Sequence, residues 1–367
     1  AIQTAIADPD NDQTMRTESY GLGLTASYEV DLWGRIKSNV QAAKLDQSVS
    51  REDLHGAIQS VVGQVVLTWL DLLQAGQLIE VTRLQQSTNA TTLELIELRF
   101  RKGRATALDV FQQRQAIAQT DTVLPPLLAQ QAILKHELAV LLGKAPRSPL
   151  VLGDEHYPEQ GPLPDYGIPA DLLSRRPDVR TAGLRLQAAD WRVSAARADR
   201  LPALSLTAGF SFNGSDVDNV FDNWLATLGS SLTGPLFDAG RRKAEVERTR
   251  AVVEERLSVY RLVVLTAVAE VENALTQLER QRDYQDALRK QYDAAKNTHT
   301  EASNRYRKGL SNYLPVLTAL TNMQNLERNI IQAEHDLLVF RVQLHLALGG
   351  NWMETTQPAI VKDEEHE

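Results

Sequence analysis

The sequence predicts a mixed fold in which long α-helical hairpins are joined to β-strands of the membrane-spanning kind. Three observations carry that prediction. The chain repeats itself once at a constant offset, a thirteen-residue stretch alternates between apolar and small or polar residues, and two very long stretches contain no proline.

The repeat sets the organisation. Asp31-Leu-Trp-Gly-Arg-Ile-Lys37 lies 206 residues before Phe237-Asp-Ala-Gly-Arg-Arg-Lys243, and the same offset relates Arg99-Phe-Arg-Lys-Gly103 to Arg305-Tyr-Arg-Lys-Gly309 and Leu142-Gly143 to Leu348-Gly349. Two copies with one internal spacing imply two copies of one structural unit. We read residues 1–143 as the first copy, 144–168 as a Pro- and Gly-rich extended connector, 169–349 as the second copy and 350–367 as a tail. The second copy opens with a helical segment from Pro169 to about Ala198 and a strand over Leu201–Phe212. Counterparts of that helix and most of that strand would precede Ala1, so the sequence reads as truncated at its start.

Each element has a local signal. Over residues 20–32 the even positions Tyr20, Leu22, Leu24, Ala26, Tyr28, Val30 and Leu32 are apolar, and the odd ones are small or polar. That is one apolar and one polar face. Its length exceeds the usual soluble strand of about 5–6 residues and fits a barrel that is apolar toward lipid and polar toward a lumen. Leu206 and Phe210 continue the pattern in the second copy, while Trp224 to Leu236 repeats it with one interruption at Leu225. Tyr20, Leu22, Leu24, Tyr28, Leu206 and Phe210 are therefore expected to face lipid.

The stretch Arg35–Thr122 lacks proline, and Arg241–Lys308 lacks both proline and glycine. Ile58, Val62, Val65, Trp69, Leu72 and Leu73 step by three and four, as a helix face requires. The second helix would be about 100 Å long at 1.5 Å per residue. Such helices must pack side by side. Each reaches a glycine turn, and a return helix follows, from about Ala107 to Leu142 and from Leu314 to Leu348. Pro125-Pro126 should kink the first return helix, whereas the second should run straighter.

Composition excludes several functions. There is no cysteine, so no disulfide or thiolate site exists, and a net charge of −8 argues against a nucleic-acid surface. No run of eighteen apolar residues marks a membrane-spanning helix. The acidic Asp8-Pro-Asp-Asn-Asp12 run has Gln13 where a calcium loop needs glycine, and reads as a solvated loop. The histidines have no metal-ligand spacing, and His136-Glu137 and His335-Asp336 read as solvated or groove-facing helical residues. No nucleophile elbow, phosphate loop or dinucleotide fingerprint is present. Neither an enzyme nor a metal or cofactor site is expected.

Taken together, strand, Asp-Leu-Trp-Gly-Arg, long helix, Arg-Phe-Arg-Lys-Gly turn, return helix and Leu-Gly stop, twice over, resemble the TolC-type outer-membrane efflux proteins. Leu172-Leu-Ser-Arg-Arg-Pro-Asp-Val-Arg180, Ala195 to Leu206 and Ala347-Leu-Gly-Gly-Asn-Trp352 resemble the subclass that serves resistance-nodulation-division multidrug pumps. The resemblance implies a homotrimer with a periplasmic α-barrel and one twelve-stranded outer-membrane β-barrel, four strands coming from each complete protomer. It implies an exit duct for small molecules that joins a periplasmic adaptor and an inner-membrane transporter, in the outer membrane of a Gram-negative bacterium. A type I protein-secretion duct and a soluble coiled-coil scaffold or adaptor are the alternatives.

Carried over residue by residue, the resemblance implies a periplasmic gate lined by Asp109 and Gln112 in the first copy and by Tyr306, Leu314 and Thr318 in the second. Asp109 would give a cation-attracting ring of carboxylates; Thr318 stands where many relatives carry a carboxylate. The turns Arg101-Lys102-Gly103 and Arg307-Lys308-Gly309 match the family's adaptor-docking tips.

Overall fold

A computed structural model describes residues 4–6, 15–17, 19–150, 157–158, 161 and 175–350. The elements in chain order are β1 (Thr4–Ile6), β2 (Met15–Thr17), β3 (Tyr20–Val30), α1 (Arg35–Arg101), α2 (Ala107–Asp121), α3 (Leu124–Leu141), α4 (Pro177–Ala198), β4 (Ala203–Gly214), β5 (Trp224–Thr233), α5 (Arg241–Arg307) and α6 (Leu314–Ala347). The acidic run at residues 8–12, most of the connector and the tail after Gly350 lie outside the described residues. Two compact units emerge, Ala1–Arg51 with Thr181–Leu262, and Glu52–Arg180 with Val263–Glu367. Each unit thus draws on both repeats.

In the first unit β3, β4 and β5 form an antiparallel sheet in that order. Register puts the apolar residues of all three strands on one face. Leu22 pairs with Phe212 and that with Trp224; Leu24 with Phe210 and Ala226; Ala26 with Ala208 and Leu228; Tyr28 with Leu206. The other face carries Thr25, Gly209 and Thr227, then Ser27, Thr207 and Gly229, with Leu225 its one large apolar side chain. Leu22, Leu24 and Tyr28 are 59, 76 and 67 % exposed, so none is buried in a protein core. Leu206 and Phe210 share that face, and Phe210 stacks on Trp224 at 5.8 Å between ring centroids. Beside the sheet, the Trp33 indole donates to the Pro202 carbonyl at 2.8 Å.

The Asp-x-x-Gly-Arg motif acquires a physical role here. The Asp31 carboxylate accepts from the Ile36 and Lys37 amides at 3.0 and 2.7 Å. In the second copy Asp238 accepts from the Gly240 and Arg242 amides. Both satisfy amides that a helix start leaves without partners.

In the second unit each repeat contributes helices held by an apolar seam. Leu72, Ala75, Leu134 and Leu138 join α1 to α3. Two clusters join α5 to α6, one around Leu278, Leu337 and Leu344 and one around Leu288, Leu326 and Ala333. A window of α1 is long and apolar enough to pass as a membrane span by composition, contrary to the sequence expectation. Only 28 % of that window is buried in the protomer; on the same helix Leu70, Leu72, Leu73 and Ala75 are buried.

The first return helix is interrupted at Thr122 and Val123, just before Pro125-Pro126, and both residues keep right-handed helical dihedrals. α2 ends at Asp121, α3 starts at Leu124, and Pro125 stands in its first turn, where a missing N–H costs nothing. The proline-free interior of α6 runs unbroken for 34 residues.

The Arg-Arg-Pro-Asp segment closes the far end of this unit. Pro177 begins α4, and the buried Arg176 guanidinium donates to Asp178 (2.8 Å), to Glu270 (2.7 Å) and to the Ala347 carbonyl (2.9 Å) at the end of α6. Burial alone would lower its pKa; the two carboxylates outweigh it and raise it. Gly349 follows with φ +88°, and a Cβ there would lie 3.1 Å from the Arg175 backbone. The Leu-Gly stop is therefore a packing requirement as well as a helix end.

Candidate functional site at the hairpin tips

The two glycine turns meet at one end of the second unit. α1 and α5 both end in a left-handed glycine, Gly103 at φ +66° and Gly309 at φ +75°. Arg104 N–H donates to the Arg99 carbonyl at 2.8 Å and Leu310 N–H to the Arg305 carbonyl at 2.9 Å. This double turn satisfies the last carbonyls of each helix and requires the positive φ that glycine adopts freely.

Between the turns lies a small apolar core of Ile96, Val110, Tyr306, Tyr313 and Val316. Tyr306 is 7 % exposed, its ring lies 5.4 Å from that of Tyr313, and the Arg99 guanidinium sits 4.5 Å above its centroid. Arg99 also donates to the Tyr306 carbonyl at 3.3 Å, so a cation from the first repeat clamps the aromatic of the second. Burial, helped by the Asp109 charge, raises the Tyr306 pKa against the opposing effect of Arg99. Tyr306 was expected to line a pore; in the protomer its ring is a core residue.

Asp109 is likewise drawn inward. Its carboxylate accepts from the Thr106 amide at 2.9 Å while the Asp109 amide donates to the Thr106 hydroxyl at 3.2 Å, a capping box that starts α2. Only 8 % of Asp109 is exposed. The expectation of a free carboxylate ring is thus met by a carboxylate already engaged at a helix N-terminus. Gln112 is half-buried. Leu314 is 51 % exposed and Thr318 shares its face, one turn on, with its hydroxyl donating to the Leu314 carbonyl at 2.9 Å. Arg101, Lys102, Gly103, Arg307, Lys308 and Gly309 are all exposed.

Sequence reasoning missed the polar seam that runs from this tip along α1 and α6. Tyr313 Oη donates to Gln113 Oε1 at 2.5 Å, and Gln113 Nε2 donates to the Asn89 carbonyl at 2.8 Å. Asn89 donates to Thr120 and accepts from Gln324 Nε2 at 3.1 Å. Gln85 donates to the Gln324 carbonyl and to Glu327, and accepts from Arg328. Further along, Gln74 donates to Gln332 at 2.8 Å, His335 meets Asp71, and Gln59 donates to the Leu346 carbonyl at 2.7 Å. Apolar seams hold each repeat together; between the repeats an apolar core at the tip is followed along α1 and α6 by hydrogen bonds. The available signal was a pair of amides four residues apart, Gln85 and Asn89, with Thr82 one turn before them. His335, expected to be solvated or groove-facing, is instead 7 % exposed, because two carboxylates offset its burial.

No cluster of His, Cys, Asp and Glu able to hold a metal occurs among the described residues. A cavity of about 530 Å³ at the other end of this unit is lined by Gly56, Gln59, Arg176, Asn273, Gln277 and Leu346.

An antiparallel sheet apolar over one whole face, carried on a chain of twice-repeated helical hairpins with capped tips, defines an outer-membrane duct protein. The family described as outer membrane efflux protein matches residues 4–144 and 168–350, and the chain belongs to that family. It is 33 % identical over 341 residues to the pyoverdine export outer membrane protein OpmQ of Pseudomonas putida, covering 91 % of this chain and 71 % of that one. It is 30 % identical to the toluene efflux pump outer membrane protein TtgI of Pseudomonas putida, covering 91 and 71 %. A solved structure of a Pseudomonas aeruginosa membrane protein superposes with a TM-score of 0.88 at 28 % identity, covering 98 % of this chain and 82 % of that one. The protein is an outer-membrane exit duct of a tripartite efflux pump, trimeric and coupled to a periplasmic adaptor and an inner-membrane transporter.

Proposed function

We propose that the hairpin tips are both the closing point and the docking point of this duct, and that its cargo is small organic molecules. The observation that carries the reading is the exposed face of α6 that holds Leu314 and Thr318 directly behind the capped tip turns. Everything beneath that face is packed, so these side chains and Gln112 remain to meet their counterparts in other copies. An apolar side chain at a constriction resists wetting and so holds a pore shut. The turns around Gly103 and Gly309 present rigid backbone, with basic side chains pointing outward, to an adaptor.

Relatives named for pyoverdine and for toluene favour small organic cargo over protein cargo. The duct performs no chemistry of its own in this reading, since its polar groups serve as caps, clamps and seams.

Expression in cells deleted for their own outer-membrane efflux component should lower accumulation of a fluorescent pump cargo, and cysteines at Lys102 and Lys308 should cross-link to the adaptor. Correct membrane insertion with no fall in accumulation and no cross-link would count against the reading.

A further inference from the structure

We infer that the periplasmic mouth of this duct is electropositive and draws in anionic solutes. The inference rests on the duct reading above, because it needs the tips to surround an opening.

Six cations crowd the two tip turns outside the apolar core: Arg101, Lys102, Arg104, Arg305, Arg307 and Lys308, all exposed. Residues 99–108 and 305–314 contain no carboxylate. The nearest acids on the first hairpin are already committed, Glu97 to Arg114 at 2.8 Å and Asp109 to the α2 cap. On the second hairpin Glu301 lies a full turn back along α5. Among the described residues, Arg307 bonds the neutral Asn304 amide oxygen, and no carboxylate pairs with any of the six.

Favourable interaction with the helix C-terminus accounts for basic residues in the last turns of α1 and α5. It does not account for Lys102, Arg104 and Lys308, which lie beyond the helix ends. Position 318, which could have supplied a balancing acid one turn inside, is a threonine whose hydroxyl is spent on the Leu314 carbonyl.

The field follows from this arrangement. Asp109 contributes one carboxylate per copy, 8 % exposed, against six exposed cations. Repeated around a shared axis, the tips form rings of one sign over an opening with low-dielectric walls, which concentrates counter-ions there. Rings of Arg and Lys select anions in pores. Screening should erase the effect as the Debye length falls from about 10 Å near 0.1 M salt to about 3 Å near 1 M.

The test is the reversal potential of the native protein, extracted from its outer membrane and inserted into planar bilayers under a potassium chloride gradient. The chloride-to-potassium permeability ratio should exceed one near 0.1 M and approach one near 1 M. The quadruple variant Arg101→Gln, Lys102→Gln, Arg307→Gln, Lys308→Gln should lower the low-salt ratio by about twofold or more, as expected when rings of pore charge are removed. A native ratio at or below one at low salt overturns the inference, whether or not the variant assembles. So does an unchanged ratio in the variant, and an unchanged ratio with weakened adaptor cross-linking would assign these cations to an acidic protein partner instead. Absence of any channel would reject the duct reading rather than this one.

Discussion

Asp71 on α1 and His335 on α6 meet at 2.7 Å, and the other nitrogen of the same imidazole lies 3.1 Å from Asp336. A carboxylate only accepts hydrogen bonds, so satisfying both contacts requires a proton on each ring nitrogen. The imidazolium is the form that satisfies both carboxylates at once in the seam between the two repeats. Burial by itself would lower its pKa; the hydrogen bonds it donates to Asp71 and Asp336 outweigh it and the pKa is raised. Around the same carboxylates, Gln332 donates to Asp336, and the Tyr157 phenol has its pKa raised by burial and by the Glu334, Asp336 and Asp71 charges.

A raised folded-state pKa has a definite sign in linkage. The stabilisation is complete below the unfolded value of about 6.5 and is lost as pH rises through the folded value. Thermal melts of the detergent-extracted protein should therefore show stability falling from pH 6 upward through the slightly alkaline range. His335→Gln should flatten that window, and Asp71→Asn should lower the stability at acid pH by about 1 kcal/mol, the scale of one charge-assisted hydrogen bond with a partly exposed partner. Melts of the native protein that are flat across this window would contradict the assignment.

The Tyr313–Gln113 bond yields a second prediction, since both residues are fully buried. Gln113→Ala removes a donor from the Asn89 carbonyl and an acceptor from Tyr313, and should cost about 2–3 kcal/mol. Tyr313→Phe alone should cost about 1 kcal/mol. A double-mutant cycle with Gln113→Leu should give a coupling energy of about 1 kcal/mol. Strict additivity would show that the bond does not form in solution.

Much of the fold was legible because its signals are periodic. Strand alternation placed Leu22, Leu24 and Tyr28 on one face, and the paired glycines marked all three turns in each copy. The break at Thr122–Val123 was announced by Pro125-Pro126. What remained hidden depends on which side chains meet across the seam. His335 reads as a surface histidine until Asp71, 264 positions away, is brought to it. Asp109 satisfies the sequence pattern of a helix cap and of a gate acid equally well, and its capping box with Thr106 is formed in the protomer. The gate face was reached by resemblance rather than by spacing, because Leu314 is one of several exposed apolar residues near the tips and its position alone does not single it out.

The sheet gives a third prediction. Leu24 lies on the apolar face and Thr25 on the polar one. Leu24→Arg should oppose insertion by about 2–4 kcal/mol near the bilayer midplane, whereas Thr25→Arg should be tolerated within a wet lumen. The yield of heat-modifiable protein in outer-membrane fractions reads this directly, and equal yields for the two variants would place both faces in one environment.

A fourth concerns closure. Leu314→Ser should raise single-channel conductance, because a hydroxyl weakens dewetting at an apolar constriction. Thr318→Ala should change it much less, as the native hydroxyl already bonds its own helix. Unchanged conductance in Leu314→Ser would remove this residue from the gate.

The central claim is that three copies of this protein build a water-filled duct through the outer membrane. Its most direct test is size and conductance together, measured on native protein extracted from the outer membrane. The account predicts a particle that requires detergent, sediments as a trimer, and produces discrete conductance steps in planar bilayers. A monomer or dimer that stays soluble without detergent and conducts nothing would contradict it.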